Sequence, residues 1–123
     1  MRRKKPIPKQ LLEKEAGKEW GQIVLSKNKG RCLVCEKKAE HPHHFIFKSR
    51  SLILRYDVRN GIPLCSHCHL LIHRRQDPVV QGIIVLKKGQ KWLDYINSKK
   101  RLKTLKTKVW LKCQLKNLKN YPN

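Results

Sequence analysis

Along the chain, apolar residues switch between helical spacing and short clustered runs, and each switch marks a new element. From about Gln10 to Lys27, the residues Leu11, Leu12, Ala16, Trp20, Ile23 and Val24 recur at three- and four-residue intervals, which predicts an amphipathic helix. Asn28-Lys29-Gly30 ends it, with Gly30 suited to the turn that follows. His41–Phe47 is β-branched and aromatic enough for a short strand, Gly61–Leu64 looks like its partner, and Lys48–Arg59 between them reads as a basic loop. Ser66 is placed to cap a helix from about His67 to Arg75, which Asp77-Pro78 stops. The order strand, loop, strand, helix is a ββα unit.

Beyond it the pattern is looser. Val79–Leu86 is an apolar run that suits either a strand or a loop packed on the unit. Gly89–Ser98 reads as a helix with Trp92, Leu93 and Ile96 on one side. Leu102–Leu118 has helical spacing at Leu102, Leu105, Val109, Cys113 (or Lys112) and Leu118, which puts Cys113 on the inner face. Trp20, Trp92 and Trp110 have apolar neighbours at helical positions and are expected to pack. The resulting division is a basic tail at 1–9, a central domain at 10–86 and a basic helical extension at 87–123, packed on or beside that domain. The fold class is α+β, with no internal repeat.

Charge narrows the partners. The 123 residues carry 30 Lys and Arg against 8 Asp and Glu, a formal net charge of +22. Such an excess opposes compaction and calls for a polyanion, nucleic acid first among them. An anionic membrane surface is the rival, but no apolar run approaches the roughly 20 residues of a spanning helix. The N-terminus has a charged head without an apolar stretch behind it, unlike a signal peptide. Five cysteines without an export signal read as reduced thiols in a cytoplasmic protein.

Two sets of metal-ligand residues are interleaved. Cys32-Leu-Val-Cys35 and Cys65-Ser-His-Cys68 are thiolate pairs at the spacing that closes a tetrahedral zinc site. Chance pairs or a redox CxxC are the bland alternatives, but a redox motif needs only one pair. Four thiolates leave no open coordination position, so this ion would hold the fold. The second set is His43-His44, Asn60, and His69 and His73 four apart on the predicted helix. Three neutral imidazoles bind a transition metal and leave positions open for phosphate oxygens and water. A fourth, unligated, can accept a proton near neutral pH. Polar surface histidines, or a second purely structural site, are the alternatives.

The run from His43-His-Phe-Ile-Phe through Arg55-Tyr-Asp-Val-Arg-Asn60-Gly-Ile-Pro-Leu-Cys65-Ser-His-Cys-His69-Leu-Leu-Ile-His73 resembles the HNH endonucleases. The resemblance covers about residues 20–75 and implies a ββα-metal, treble-clef-like core with a four-cysteine structural zinc, flanked by an N-terminal helix and basic C-terminal helices. Sixteen positions separate His44 from Asn60, nine more reach His69 and four more His73, close to the spacing in bacteriocin DNases of that superfamily. Carried over residue by residue, His43, His69 and His73 would ligate a catalytic divalent ion, His44 would be the general base, and Asn60 would hold the long loop against the strand. His41 is an alternative ligand or base, otherwise a neighbour of the site or exposed. Adjacent His43 and His44 should face opposite sides of a regular strand, so the strand is expected to twist or end there.

The resemblance implies metal-dependent hydrolysis of phosphodiester bonds, with double-stranded DNA as the expected partner. Imidazole ligands favour Zn, Ni, Co or Mn over Mg, although the family varies in its ion. Lys48, Arg50, Arg55, Arg59, Arg74 and Arg75 are the candidate phosphate contacts, and the lysines of the last helix suit nonspecific backbone binding. A small basic chain of this kind fits a phage-encoded or mobile-element enzyme. The competing readings are a noncatalytic, zinc-stabilised nucleic-acid-binding protein and an inactive HNH-like scaffold.

Overall fold

The computed structural model describes residues 5–75 and 77–122. Residues 1–4 of the basic tail, and the side chain of the candidate contact Arg75, lie outside what it describes. The order of elements is α1 (Lys9–Ser26), β1 (His41–His44), α2 (Leu52–Arg55), β2 (Gly61–Leu64), α3 (Ser66–Arg75), α4 (Pro78–Lys88), α5 (Gln90–Lys100) and α6 (Lys108–Lys119), with 3₁₀ turns at Lys27–Gly30 and Val58–Asn60. The fold is thus α+β, with one two-stranded antiparallel sheet among the described residues.

α1 buries Leu12, Ala16, Trp20 and Val24, every fourth position and so one face. Its exit is unusually tight. Asn28, Lys29 and Gly30 all take positive φ, at 53°, 58° and 74°. Asn28 tolerates that region and secures the turn by donating from Nδ2 to the Arg31 carbonyl at 3.2 Å. The chain then runs into a hairpin bridged at Arg31 and Lys38, which carries the first cysteine pair.

β1 pairs with β2 in the register His41–Leu64, Pro42–Pro63, His43–Ile62 and His44–Gly61. Gly61 is required there. A Cβ at that position would collide with Val24 Cγ2 and lie 3.1 Å from the Trp20 indole. Only a bare backbone lets β2 lie this close to α1, and that approach brings Trp20 under the end of β1.

Several expectations are corrected. β1 stops at His44, short of Phe47, because the Asn60 side chain takes over the Ile46 backbone: Ile46 N donates to Asn60 Oδ1 at 2.8 Å, and Asn60 Nδ2 donates to the Ile46 carbonyl at 3.0 Å. The basic loop contains a helical turn, α2, capped by Ser51 Oγ, which accepts from Leu54 N at 3.2 Å. Ser66 lies within α3 and is not its cap. Val79–Leu86 is neither strand nor loop but part of α4: Asp77 accepts from the amides of Val79 and Val80, Pro78 fits the first turn, and Val80 and Ile84 turn inward. The 86/87 division consequently falls inside a helix. Thr107 caps α6 and resets its register, so Leu111, Leu115 and Leu118 are buried while Val109 and Cys113 are exposed.

Two apolar clusters result. One joins α1 and α6 through Leu12, Ala16, Trp20, Val24, Leu111, Leu115 and Leu118, closed by Tyr56 and Val58. The other holds Ile62, Leu64, Ile72, Val80 and Ile84 around Cys32, Cys65 and Cys68. The extension thus shares a core with the central segment.

Candidate metal centres

The cysteine cluster is built by two tight turns. Cys32 N donates to the Lys37 carbonyl at 2.6 Å and Glu36 N to the Cys32 carbonyl at 3.0 Å, with Glu36 at φ 67°, so the knuckle folds back on itself. Leu33 N donates to the Pro63 carbonyl at 2.9 Å and fixes the knuckle to β2. Cys65 precedes α3 and Cys68 lies in its first turn, with Cys68 N directed at Cys65 Sγ at 3.4 Å. The four sulfurs all lie within 4.8 Å of one another.

Cys35 and Cys65 Sγ are 3.4 Å apart, far beyond the roughly 2.05 Å of a disulfide. A tetrahedral ion with bonds of about 2.3 Å would space its sulfurs at about 3.8 Å. Burial opposes ionisation of Cys32, but the backbone amides of Cys35, Cys65 and Val34 bring it down to about 7. Burial and the neighbouring sulfurs raise Cys68, and burial chiefly raises Cys35. Three of the four are buried. Four thiolates crowded together would need a countercharge, which a divalent ion supplies. The donor set is compatible with a structural metal site.

The second cluster is His43, His69 and His73, whose ring nitrogens also lie within 4.8 Å of one another. β1 supplies the first and α3 the other two, one turn apart on the same face. Their rings meet edge to face: centroids are 5.5 Å apart for His43 and His69, 5.2 Å for His43 and His73, and 4.4 Å for His69 and His73. His43 is 2% exposed, and its Nε2 is buried without a hydrogen-bond partner among the described residues. Such an atom is costly unless something else satisfies it. Burial, aided by the His69, His73 and His44 rings, brings His43 down to about 3, and burial with His73 and His41 nearby brings His69 to about 4. Both are therefore neutral donors at physiological pH. The residues fit a transition-metal ion.

His44 projects to the other face of β1, as strand alternation requires. Its ring stacks on Trp20, and its Nε2 lies 2.8 Å from the Arg55 carbonyl. A carbonyl only accepts, so Nε2 carries the proton and Nδ1 the free lone pair. Burial lowers its pKa, although the Arg55 carbonyl favours the charged ring. Because the strand ends here, His43 and His44 both border one cleft of about 330 Å³, with Pro42, Phe47, Lys48, His69 and His73.

Asn60 is fully buried, and its amide also donates to the Leu54 carbonyl at 3.2 Å, tying α2 to the segment after β1. His41 stands outside the histidine cluster. Its ring stacks on His69 at 4.7 Å, and Ser66 Oγ, which donates to Glu40 Oε2 at 3.0 Å, accepts from His41 Nε2 at 3.1 Å.

Among the candidate phosphate contacts, Lys48 lines the cleft and Arg55 lines the adjoining one beside Trp20 and His44. Arg50 lies farther along, Arg74 is exposed on α3, and Arg59 lies over the Tyr95 ring at 4.2 Å, against α5. Sequence reasoning missed two roles: the Trp20 face beneath His44 and the Arg55 carbonyl that orients it. Neither has a sequence signal, since one was read as core and the other is backbone. The chain matches no family model, no curated protein and no solved structure. No helix among the described residues is long and apolar enough to cross a membrane.

Proposed function

We propose that the chain is a metal-dependent endonuclease of the HNH type that hydrolyses phosphodiester bonds of DNA, with a structural zinc at Cys32, Cys35, Cys65 and Cys68. The observation that carries this is the pairing of three convergent imidazoles with a fourth, His44, on the same cleft but with its own oriented lone pair. A structural site has no use for the fourth.

His43, His69 and His73 would hold the catalytic ion. When bound, the ion supplies Lewis acidity to the phosphoryl and leaving oxygens. His44 Nδ1 accepts the proton of the attacking water, and the Arg55 carbonyl stabilises the resulting imidazolium through Nε2–H. Trp20 holds the ring plane. Asn60 keeps the strand end and α2 in register, so the Arg55 carbonyl stays aimed at His44. Lys48 at the cleft is suited to orienting a phosphate.

The test is cleavage of supercoiled plasmid by purified protein across Mn, Ni, Co, Zn and Mg, with and without chelator. Ion-dependent cleavage supports the reading. Tight, salt-sensitive DNA binding with no cleavage under any ion points instead to a noncatalytic zinc-stabilised binding protein, which the cysteines and the charge suit equally.

A further inference from the structure

Phe47 and His73 also wall a second cavity of about 330 Å³ that the proposed hydrolysis does not use. Phe45 and Ile72 provide its apolar lining, and Arg50 and Gln81 its polar one. Phe47 is an aromatic ring left 37% exposed, stacked on His73 with centroids 5.5 Å apart and planes 20° from parallel. The Arg50 guanidinium lies 5.9 Å from the Phe47 ring centre. Arg50 further lines a neighbouring cleft of about 380 Å³ together with Lys100, Arg101 and Lys103.

A part-exposed aromatic ring joined through one arginine to a cationic groove is the combination that binds single strands: bases stack while cations follow the backbone. Gln81, on α4, carries both a donor and an acceptor that a base edge can meet. We propose that this cavity receives an unpaired nucleobase of the bound strand, stacked on Phe47, with Arg50 leading the adjoining phosphates into the cleft at Lys100–Lys103. The inference rests on the nucleic-acid reading and deepens it: the preferred substrate has at least one base out of the stack. In an intact duplex that base must first be unstacked at a cost, so single strands and distorted sites bind better.

The experiment is fluorescence-anisotropy binding by the full chain, with no divalent ion added, to three DNAs of one length: a single strand, the same strand carrying abasic sites, and the duplex. The single strand should bind about tenfold tighter than its abasic counterpart. Phe47→Ala should erase that difference and Phe47→Trp should keep it. Phe47→Leu, which retains apolar volume without an aromatic face, covers the case in which the alanine variant does not fold. Lys100→Glu with Lys103→Glu should weaken the intact and abasic strands alike and flatten the salt dependence. Equal affinity for intact and abasic strands, tighter binding of the duplex, or a Phe47→Leu loss shared by both strands would each overturn the proposal. No turnover is read, so an absence of plasmid cleavage leaves this result standing, and a missing base preference leaves the hydrolytic reading standing.

Discussion

The imidazole of His44 lies flat on the indole of Trp20, with ring centroids 3.8 Å apart and planes 11° from parallel. Trp20 is itself fixed, buried at 2% exposure and donating from Nε1 to the Asp57 carbonyl at 2.9 Å. The stack and the Arg55 carbonyl together leave His44 one orientation. His44→Ala should therefore reduce cleavage by about 10²–10⁴-fold, the range of general acid–base catalysis, while DNA affinity and metal content stay unchanged. Undiminished cleavage by that variant would remove His44 from the mechanism.

The two clusters should part company under mutation. Cys35→Ser takes one of four sulfurs from a site woven into an apolar cluster, so loss of the tightly held metal should coincide with loss of cooperative unfolding. His73→Ala touches the exposed member of the histidine set and should leave a folded protein that retains the tight ion and loses a second, exchangeable one. Elemental analysis before and after mild chelation reads both outcomes. A well-folded wild-type chain without zinc would refute the structural assignment.

Asn60→Ala strands two backbone groups at once, the amide and the carbonyl of Ile46, while the Leu54 carbonyl keeps the Tyr56 and Asp57 amides. Leaving buried groups unsatisfied costs about 1–3 kcal/mol each, less whatever water recovers. Denaturant unfolding should show a loss of about 3 kcal/mol, and the surviving folded protein should cleave more slowly because the Arg55 carbonyl is no longer held. Stability within 0.5 kcal/mol (~ the scale of an ordinary surface change) would contradict the bracing role.

Lys27 gives a pH signature away from both metal clusters. Burial, with Lys88 and Arg59 adding repulsion, lowers its pKa to about 8, although it donates to the Val58 carbonyl at 2.8 Å. Between about pH 8 and its ordinary 10.5, the unfolded chain binds a proton that the folded chain has released. Stability from this group therefore rises with pH across that window. Burial raises Tyr95 to about 12, which acts in the opposite sense only above its ordinary value of 10. Chemical denaturation at pH 8 and 9.5 should show the rise in the wild type and a flatter response in Lys27→Met. Equal slopes would show that Lys27 is not the source.

Where residues act through their own side chains, the sequence was legible. The cysteine pairs could be grouped from their spacing alone, because a two-residue interval constrains both sulfurs to one ion. The helical interval of His69 and His73 likewise put both on one face. The end of β1 was not legible, because it depends on Asn60 bonding to Ile46 from 14 positions away. Nor was the α6 register, which Thr107 resets in a stretch whose leucines suit two faces. The apolar run at Val79–Leu86 was ambiguous because β-branched Val79, Val80, Ile83, Ile84 and Val85 hide a four-residue interval, and the Asp77 cap decides it. The aim of His44 belongs to a backbone carbonyl, which no residue identity encodes.

The joining of α1 to α6 has a consequence for how the chain is made. The face of α1 that includes Leu12 and Val24 is completed by Leu111, Leu115 and Leu118, residues synthesised roughly a hundred positions later. The cysteine cluster and its apolar surround, in contrast, draw on residues between 32 and 84 and can assemble as soon as that stretch has left the ribosome. The half around the cysteine cluster should therefore mature first on the nascent chain, with the side of α1 that meets α6 left uncovered until its distant partner arrives. A pulse of protease during synthesis should find α1 susceptible well after the knuckle has become resistant.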